Sequence, residues 1–332
     1  MKFLLIRNDV LGDAIVSSTF IESLAKSLNC QIDILCHAYN EVAFRYNPYL
    51  TNIFISKHQQ GTKRLADDIT DVVRQISSAV DVYDAVFVLN PCLRSLKYAA
   101  MINTRRVFGR KFLTRSFSTR WWFYSHQFRD KYSFIDDGDS TNHEVLRLHS
   151  LLQHGLELLS VKAIAAAIPS LAKFYLPNSE SVEAIRTNSC VINASGKIEQ
   201  SRYINDSMLY ALVDNLLKSQ IDDILIIATE SDRLRVTQVL EAFSGTQVQI
   251  LITGDLLQLA REIQCYRVFI GCDGGLAHLA AGLGLFCITL FDQQDARIWH
   301  PWSDKQTSLQ SPRKNIYDIS YLDIATVINQ TI

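Results

Sequence analysis

Two loops in this chain carry residue types at spacings suited to chemistry on a hydroxyl or an anion. The first is Arg7-Asn8-Asp9-Val10-Leu11-Gly12-Asp13, which leaves a short apolar strand and enters a helix. Carboxyl ends of strands line the ligand crevice of an open α/β sheet, so the location favours a site. Asp13 has two readings. As an N-cap, its carboxylate accepts from the first free amides of the helix. As a general base, it removes a proton from a hydroxyl. The loop lacks the G-x-G-x-x-G dinucleotide fingerprint. The second loop is Gly271-Cys272-Asp273-Gly274-Gly275-Leu276-Ala277-His278-Leu279-Ala280-Ala281. Its glycines clear side chains from backbone amides at the positive end of a helix, an arrangement that holds a phosphate or diphosphate. His278, one turn in, is placed to donate to the same anion. The plainer alternative is a tight strand–helix turn with His278 as a satisfied core residue.

A third feature is electrostatic. Between Arg105 and Lys131 stand eight cations (Arg105, Arg106, Arg110, Lys111, Arg115, Arg120, Arg129, Lys131) and one acid, Asp130, in a chain whose total charge is −1. Phe108, Phe112, Phe117, Trp121, Trp122, Phe123 and Tyr124 are interleaved. A solvated loop with inward aromatics, nucleic-acid stacking and docking to an anionic lipid surface all fit this pattern. Glu144, after His143, reads as a structural first-turn acid of the next helix.

The elements that must position these residues alternate. Strands are predicted at Lys2–Arg7, Gln31–Cys36, Asn52–Ser56 and Ala85–Asn90, with helices over Asp13–Leu28, Thr62–Ala79 and Val145–Leu159. After a linker near Leu176–Ser181 the pattern restarts. Strands are expected at Cys190–Asn193, Ile224–Thr229, Val248–Thr253, Arg267–Gly271 and Phe286–Phe291. Helices are expected at Asp206–Ser219, Asp232–Ala242, Leu256–Ile263 and Leu276–Leu283. Strands spaced by helices predict parallel sheets covered on both faces. The fold class is α/β, as two Rossmann-like β/α/β domains over 1–177 and 188–320. A terminal helix over about 321–332 is expected to pack back onto the first.

Composition narrows the partners. Among 332 residues, 48% are hydrophobic and 20% charged, with 13 Gly and 6 Pro, which excludes disorder and low-complexity repeats. Near-zero net charge argues against binding nucleic acid over the whole surface. The seven cysteines are scattered without a C-x-x-C pair, and the histidines lack metal-ligand spacing, so reduced thiols and no metal are expected. The opening apolar run is too short for a secretory signal, and no run reaches the ~18 residues of a membrane span. The expected location is cytoplasmic.

Taken together in order, these motifs resemble family 9 glycosyltransferases, the lipopolysaccharide heptosyltransferases. Arg7–Asp13 is similar to the family's R-x-x-x-x-G-D opening, and Asp273 to Ala281 to its donor-site signature. Asn193-Ala194-Ser195-Gly196-Lys197 with Arg202-Tyr203 falls at the family's phosphate loop. Glu230 falls at the Glu that holds the nucleotide's ribose, and Trp299 with Pro301 at its closing Trp-x-Pro. The resemblance implies a GT-B fold, two domains facing across a cleft, with acceptor in the first and donor in the second. It also implies metal-independent, inverting transfer from a nucleotide sugar, ADP-heptose, with no cofactor. Asp13 would be the base. Ser195, Lys197, Arg202, Glu230, Asp273, Gly274, Gly275 and His278 would bind the donor. Arg7, Asn8, Arg110, Lys111, Arg115 and Arg120 would bind the acceptor, an anionic glycolipid of the lipid A–Kdo inner-core type. The enzyme would then sit peripherally on the inner face of the cytoplasmic membrane, without a nucleic-acid partner.

Three departures lie near the donor. Gly274 replaces Thr or Ser, Ser201 replaces a Lys, and Phe291-Asp292-Gln293-Gln294 replaces a Gly-Pro-Thr-like loop. They keep two alternatives open: a relative using another nucleotide sugar or acceptor, and a non-catalytic nucleotide- or carbohydrate-binding protein of the same fold.

Overall fold

Phe3, Leu4, Leu5 and Ile6 are apolar on both faces of strand β1 (Lys2–Arg7), and all four are buried. That is the signature of a parallel strand covered by helices on two sides. The structure, a computed structural model, describes residues 1–57, 65–90, 92–111, 130–136, 141–161, 167–177, 184–196, 202–221 and 223–331. From β1 the chain runs through α1 (Leu11–Ser27), β2 (Gln31–His37), β3 (Asn52–Ser56), α2 (Leu65–Ala79), β4 (Tyr83–Val88), α3 (Leu93–Met101), β5 (Thr104–Lys111), β6 (Tyr132–Asp136) and α4 (Glu144–Leu158). The strands form one parallel sheet in the order β3-β2-β1-β4-β5-β6. On one face Leu4 and Ile6 pack with Ile69, Val72, Leu96 and Ala99 of α2 and α3. On the other, Phe3, Phe20, Phe87 and Phe108 form a chain of aromatic contacts beneath α1 and α4.

The second unit contains β7 (Ser189–Asn193), α5 (Asp206–Lys218), β8 (Asp223–Ala228), α6 (Arg233–Leu240), β9 (Val248–Ile252), α7 (Leu256–Ile263), β10 (Val268–Cys272), α8 (Gly275–Gly282), β11 (Phe286–Phe291), α9 (Ala296–Trp299), β12 (Gln306–Gln310) and α10 (Tyr321–Thr331). Its sheet order, β12-β11-β10-β7-β8-β9, repeats the permutation of the first sheet. Both are the doubly wound order of dinucleotide-binding folds, so the architectural similarity of the halves extends to strand order.

The chain divides into Met1–Pro169 and Ser170–Ile332. The break falls ahead of the expected 177–187 because the connecting stretch is already tied to the second unit. Ala172 N–H donates to the Trp302 carbonyl and Phe174 N–H to that of Gly282, at 3.0 and 3.1 Å. The terminal helix corrects its expectation too. Ile324 and Ile328 of α10 are buried in the second unit's own core, beside α5, β11 and β12. Five of these elements had no counterpart in the sequence reading: α3, β5, β6, α9 and β12. Part of the basic segment is therefore a sheet strand, not a solvated loop. Residues 112–129 lie outside those described.

Gly155 lets α4 approach the sheet. A Cβ there would stand 2.4 and 2.7 Å from ring atoms of Phe87, which is itself fully buried among Phe3, Phe20 and Phe108. The Gly155→Ala variant gains about 1 kcal/mol of helix propensity but must displace a locked ring, which costs about 1–3 kcal/mol. A net loss of stability is expected in denaturant unfolding, whereas Gly254→Ala, with nothing within 4 Å of its Cβ, should be near neutral.

Candidate active site

In each sheet the strand order reverses at one place, between β1 and β4 in the first and between β7 and β10 in the second. Ligands of open α/β sheets bind outside the carboxyl ends of the strands at such switch points. The loops that follow these four strands hold Asn8–Val10, Leu89–Cys92, Ala194–Gly196 and Asp273–Gly274, so both of the sequence's candidate loops sit there.

In the first unit the centre is an ion network around Arg7, which is buried at the end of β1. Its Nε lies 3.1 Å from Asp9 Oδ1, and one terminal nitrogen lies 3.1 Å from Asp13 Oδ1. The other donates to the Leu89 carbonyl at 2.9 Å and stands 3.4 Å from Glu144 Oε1. Arg110, on β5, donates to Glu144 Oε2 and Oε1 at 2.9 and 2.7 Å and to the Leu89 carbonyl at 3.0 Å. Arg147 stands 3.6 Å from Glu144 Oε2. Burial disfavours a charged Arg7, yet the surrounding carboxylates raise its pKa and keep it protonated. Burial pushes Asp9 up to about 7 and raises Asp13 as well, with Arg7 opposing both. Glu144 goes the other way: Arg110 and Arg7 outweigh its burial and hold it below the ordinary range.

This geometry sets aside the capping reading of Asp13's side chain. The N-cap of α1 is Val10, no side chain caps the helix, and the Asp13 carboxylate turns to Arg7. Arg7 and Arg110, both expected to touch an acceptor, are instead buried with their guanidinium groups spent on Glu144, Leu89 and the aspartates. Arg7 thereby holds Asp9 and Asp13, while Arg110 holds Glu144 and the Leu89 carbonyl. Asn40 adds to this, its amide donating to the carbonyls of Arg7 and Asp9 at 3.3 and 3.1 Å.

Asn8 is different. It is 3% exposed, and neither its Oδ1 nor its Nδ2 has a hydrogen-bond partner. An unmade hydrogen bond of this kind costs about 1–3 kcal/mol, and folded proteins leave few. Side chains alternate along a strand; Leu4 and Ile6 face α3, and Asn8 continues that series. Arg94, in the first turn of α3, donates to the Asn8 carbonyl at 3.4 Å. Cys92 caps that helix without a side-chain hydrogen bond, and no acid stands in its first turn. The sequence reading passed over Arg94, whose meaning depends on its place beside Asn8.

In the second unit Asp273 N–H donates to the Leu290 carbonyl at 2.8 Å, and Gly274 is the N-cap of α8. A Cβ on Gly274 would meet nothing within 4 Å. His278, in the second turn of α8, is buried. Arg202 comes up to this helix start: its Nε is 3.0 Å from both oxygens of Asp292, and a terminal nitrogen is 3.8 Å from Asp273 Oδ2. Gly196 permits that approach, since a Cβ there would fall 1.8 Å from the Arg202 carbonyl oxygen.

Ser195, expected to assist donor binding, makes internal contacts here. Its hydroxyl donates to Asp232 Oδ2 at 2.6 Å and accepts from Thr229 N–H at 2.7 Å, so it joins the loops after β7 and β8. Arg235 completes that joint. It donates to Asp232, Asp206 and the carbonyls of Ala194 and Ile204, at 3.1, 2.9, 2.8 and 3.1 Å, and stands over the Tyr203 ring. Despite burial, the donors of Ser195, Thr229 and Arg235 hold the Asp232 carboxyl below its ordinary range. Neither Asp232 nor Arg235 was singled out in the sequence, because each acts through residues distant along the chain. Glu230 is exposed in a short 3₁₀ turn after β8 and is paired with Arg233 at 2.7 Å.

Lys197, Ser201, Arg115 and Arg120 lie outside the described residues; Lys111 ends β5. Among the described residues no group of His, Cys, Asp and Glu is arranged to hold a metal ion, and no helix is long and apolar enough to cross a membrane.

Three solved structures share this architecture. A family 9 glycosyltransferase from Veillonella parvula superposes with a TM-score of 0.79 at 16% identity, covering 99% of this chain and 96% of that one. The E. coli heptosyltransferase WaaC, solved with ADP, gives 0.76 at 14% identity over the whole of both chains. E. coli ADP-heptose LPS heptosyltransferase II gives 0.71 at 15% identity, covering 100% of this chain and 98% of that one. No curated protein is significantly similar in sequence. At these identities the likeness shows the fold, which is that of the GT-B heptosyltransferases. The family itself is carried by residues 74–327, which match glycosyltransferase family 9 (heptosyltransferase) across most of both units. The chain belongs to glycosyltransferase family 9 and is a glycosyltransferase.

Proposed function

We propose that this enzyme transfers a sugar from a nucleoside-diphosphate sugar, ADP-heptose first among candidates, to a hydroxyl of an anionic saccharide acceptor, with inversion at the anomeric carbon and Asp13 as general base. The observation that carries this reading is the Asp13 carboxylate, held at the end of β1 by Arg7 and not spent on capping its helix. Partly withdrawn from water, it has the raised proton affinity that a base needs. In the reaction Asp13 takes the proton of the attacking hydroxyl as its oxygen bonds to the anomeric carbon. The bond from that carbon to the diphosphate breaks on the opposite face. The departing charge is met by the first-turn amides of α8, with Arg202 near them and Asp273, Gly275 and His278 completing the donor site; the cation Lys197 is assigned to the same charge from the sequence motif alone. Glu230, exposed after β8, is assigned to the ribose.

Support for the donor comes from solved relatives, since the WaaC structures contain ADP and ADP-2-deoxy-2-fluoro heptose. On the acceptor side, Asn8 and Arg94 offer an unpaired amide and a guanidinium at the switch point, groups suited to a carboxylate or phosphate. An acceptor of the lipid A–Kdo inner-core type has such groups. It would bring the enzyme to the inner face of the cytoplasmic membrane, where the positive charge of 105–131 is favourable. A second reading, another nucleotide sugar, is favoured by Gly274. The open space at its Cβ would accommodate the hydroxyl side chain that the family carries there.

Thermal unfolding with ADP, UDP, GDP and CMP and their sugar nucleotides tests the donor. A nucleotide at 100 times its Kd adds about 2.7 kcal/mol of stability; a selective response to ADP and ADP-heptose is expected, and preference for another base discards heptose. With the donor so identified, the Asp13→Asn variant should lose about 10²–10⁴-fold in kcat while keeping the nucleotide shift. In the native enzyme the rate should fall as acid protonates Asp13, at a pH above the usual aspartate range, and loss of donor binding in the variant would refute the assignment. The Arg94→Gln variant should raise the acceptor KM and leave the donor response unchanged.

A further inference from the structure

Glu144 has so far only a structural description, as an acid buried in the first turn of α4 with its helix capped by His143, whose Nδ1 accepts from Val145 N–H at 3.1 Å. Its contacts reach further. Oε1 faces both Arg7 and Arg110, and Oε2 faces Arg110 and Arg147. Arg7 in turn uses one nitrogen for Asp9, one for Asp13 and one for Leu89 and Glu144. The guanidinium plane that presents a donor to Asp13 is thus clamped from its far edge by Glu144 and the Leu89 carbonyl. Two strands and two helices supply charged groups, Arg7 from β1, Arg110 from β5, Asp13 from α1, and Glu144 and Arg147 from α4, and the loop after β4 adds the Leu89 carbonyl. Asp9 comes from the loop after β1. Three guanidinium groups face three carboxylates, so removing any one member leaves an excess charge in a site largely closed to water.

We infer that Glu144 is a positioning residue for Asp13, acting through Arg7 to fix where the carboxylate stands and how strongly it binds a proton. This rests on Asp13 being the general base. Two effects follow from removing the Glu144 charge. Arg7 and Arg110, released from one of their counterions, bear harder on Asp13 and Asp9. A nearby negative charge that favoured protonation of Asp13 also disappears. Both lower the basicity of Asp13. Removing Arg110 does the reverse, because it withdraws a positive charge while Glu144 stays paired with Arg7 and Arg147.

The test is the titration of the Asp13 carboxyl carbon by 13C NMR in the full chain, with the resonance assigned by its loss in Asp13→Asn. The midpoint in Glu144→Gln is expected about one pH unit below the native value, as for loss of a like charge at close range, and that in Arg110→Met above it. Glu144→Asp, which keeps the charge, should bring the midpoint most of the way back to the native value. A purely structural Glu144 would lower stability and leave the midpoint alone; one midpoint shared by all variants overturns the inference. Transfer assays separate this from failure of the underlying reading. If Asp13→Asn still transfers sugar, the base assignment falls. If it is inactive while Glu144→Gln keeps native kcat, the positioning role falls.

Discussion

Arg7 is a full positive charge at the end of a central strand with 1% of its surface exposed, and the carboxyl end of the first unit's sheet is built around compensating it. An unpaired ion in such a place costs several kcal/mol, so a buried guanidinium persists only where carboxylates and carbonyls close around it. The partners come from far apart in the chain: Asp9 and Asp13 follow directly, Leu89 ends the neighbouring strand, and Glu144 opens a helix 137 residues on. Because β1, β4, β5, α1 and α4 all contribute, the position of the proposed base is tied to the packing of the whole unit. The same burial that makes the cluster costly lifts the proton affinity of Asp9 and Asp13, so stability and reactivity come from one arrangement.

The second unit solves a different problem on the same topology. At its switch point stand glycines, with hydrogen-bonded ties between the neighbouring loops. Gly196 lets the chain at Arg202 pass within contact of the loop after β7, where any side chain would collide. Ser195, Thr229, Asp232 and Arg235 lace the loops after β7 and β8 together from within. Arg202 is held by Asp292, so its charge stays near the start of α8 without a bound ligand to hold it. The Asp292 that departs from the family pattern is therefore the counterion of Arg202, near the start of α8.

Much of this was legible in the amino-acid sequence. Continuous apolar runs such as Phe3–Ile6 and Val268–Ile270, separated by helical periodicity, specify buried parallel strands, because only a strand covered on both faces repays such a run. The two loops were legible as candidates as well, because glycine and aspartate stand between a strand and a helix in each, although capping and tight turns use the same residues. The family resemblance spanning Arg7 to Pro301 agrees with the match over residues 74–327. What escaped were elements whose residues look wrong for their setting. β5 reads Thr-Arg-Arg-Val-Phe-Gly-Arg-Lys, a charged stretch by any local measure. It is a sheet strand because Arg105 pairs with Asp84, Arg106 reaches the Asp130 carbonyl and Arg110 is neutralised by Glu144.

The division between the two sources of information follows from the range of the forces. Periodicity, glycine placement and the order of motifs are local, so the sequence by itself determined two doubly wound units, the loops that matter and the family to which they belong. Charge compensation acts through space between residues that no spacing rule connects. Only the tertiary structure decided that Arg7 and Arg110 are buried supports, that Ser195 is a tie between loops, that α10 completes the second core, and that Asn8 alone keeps both of its buried polar atoms unpaired among the described residues.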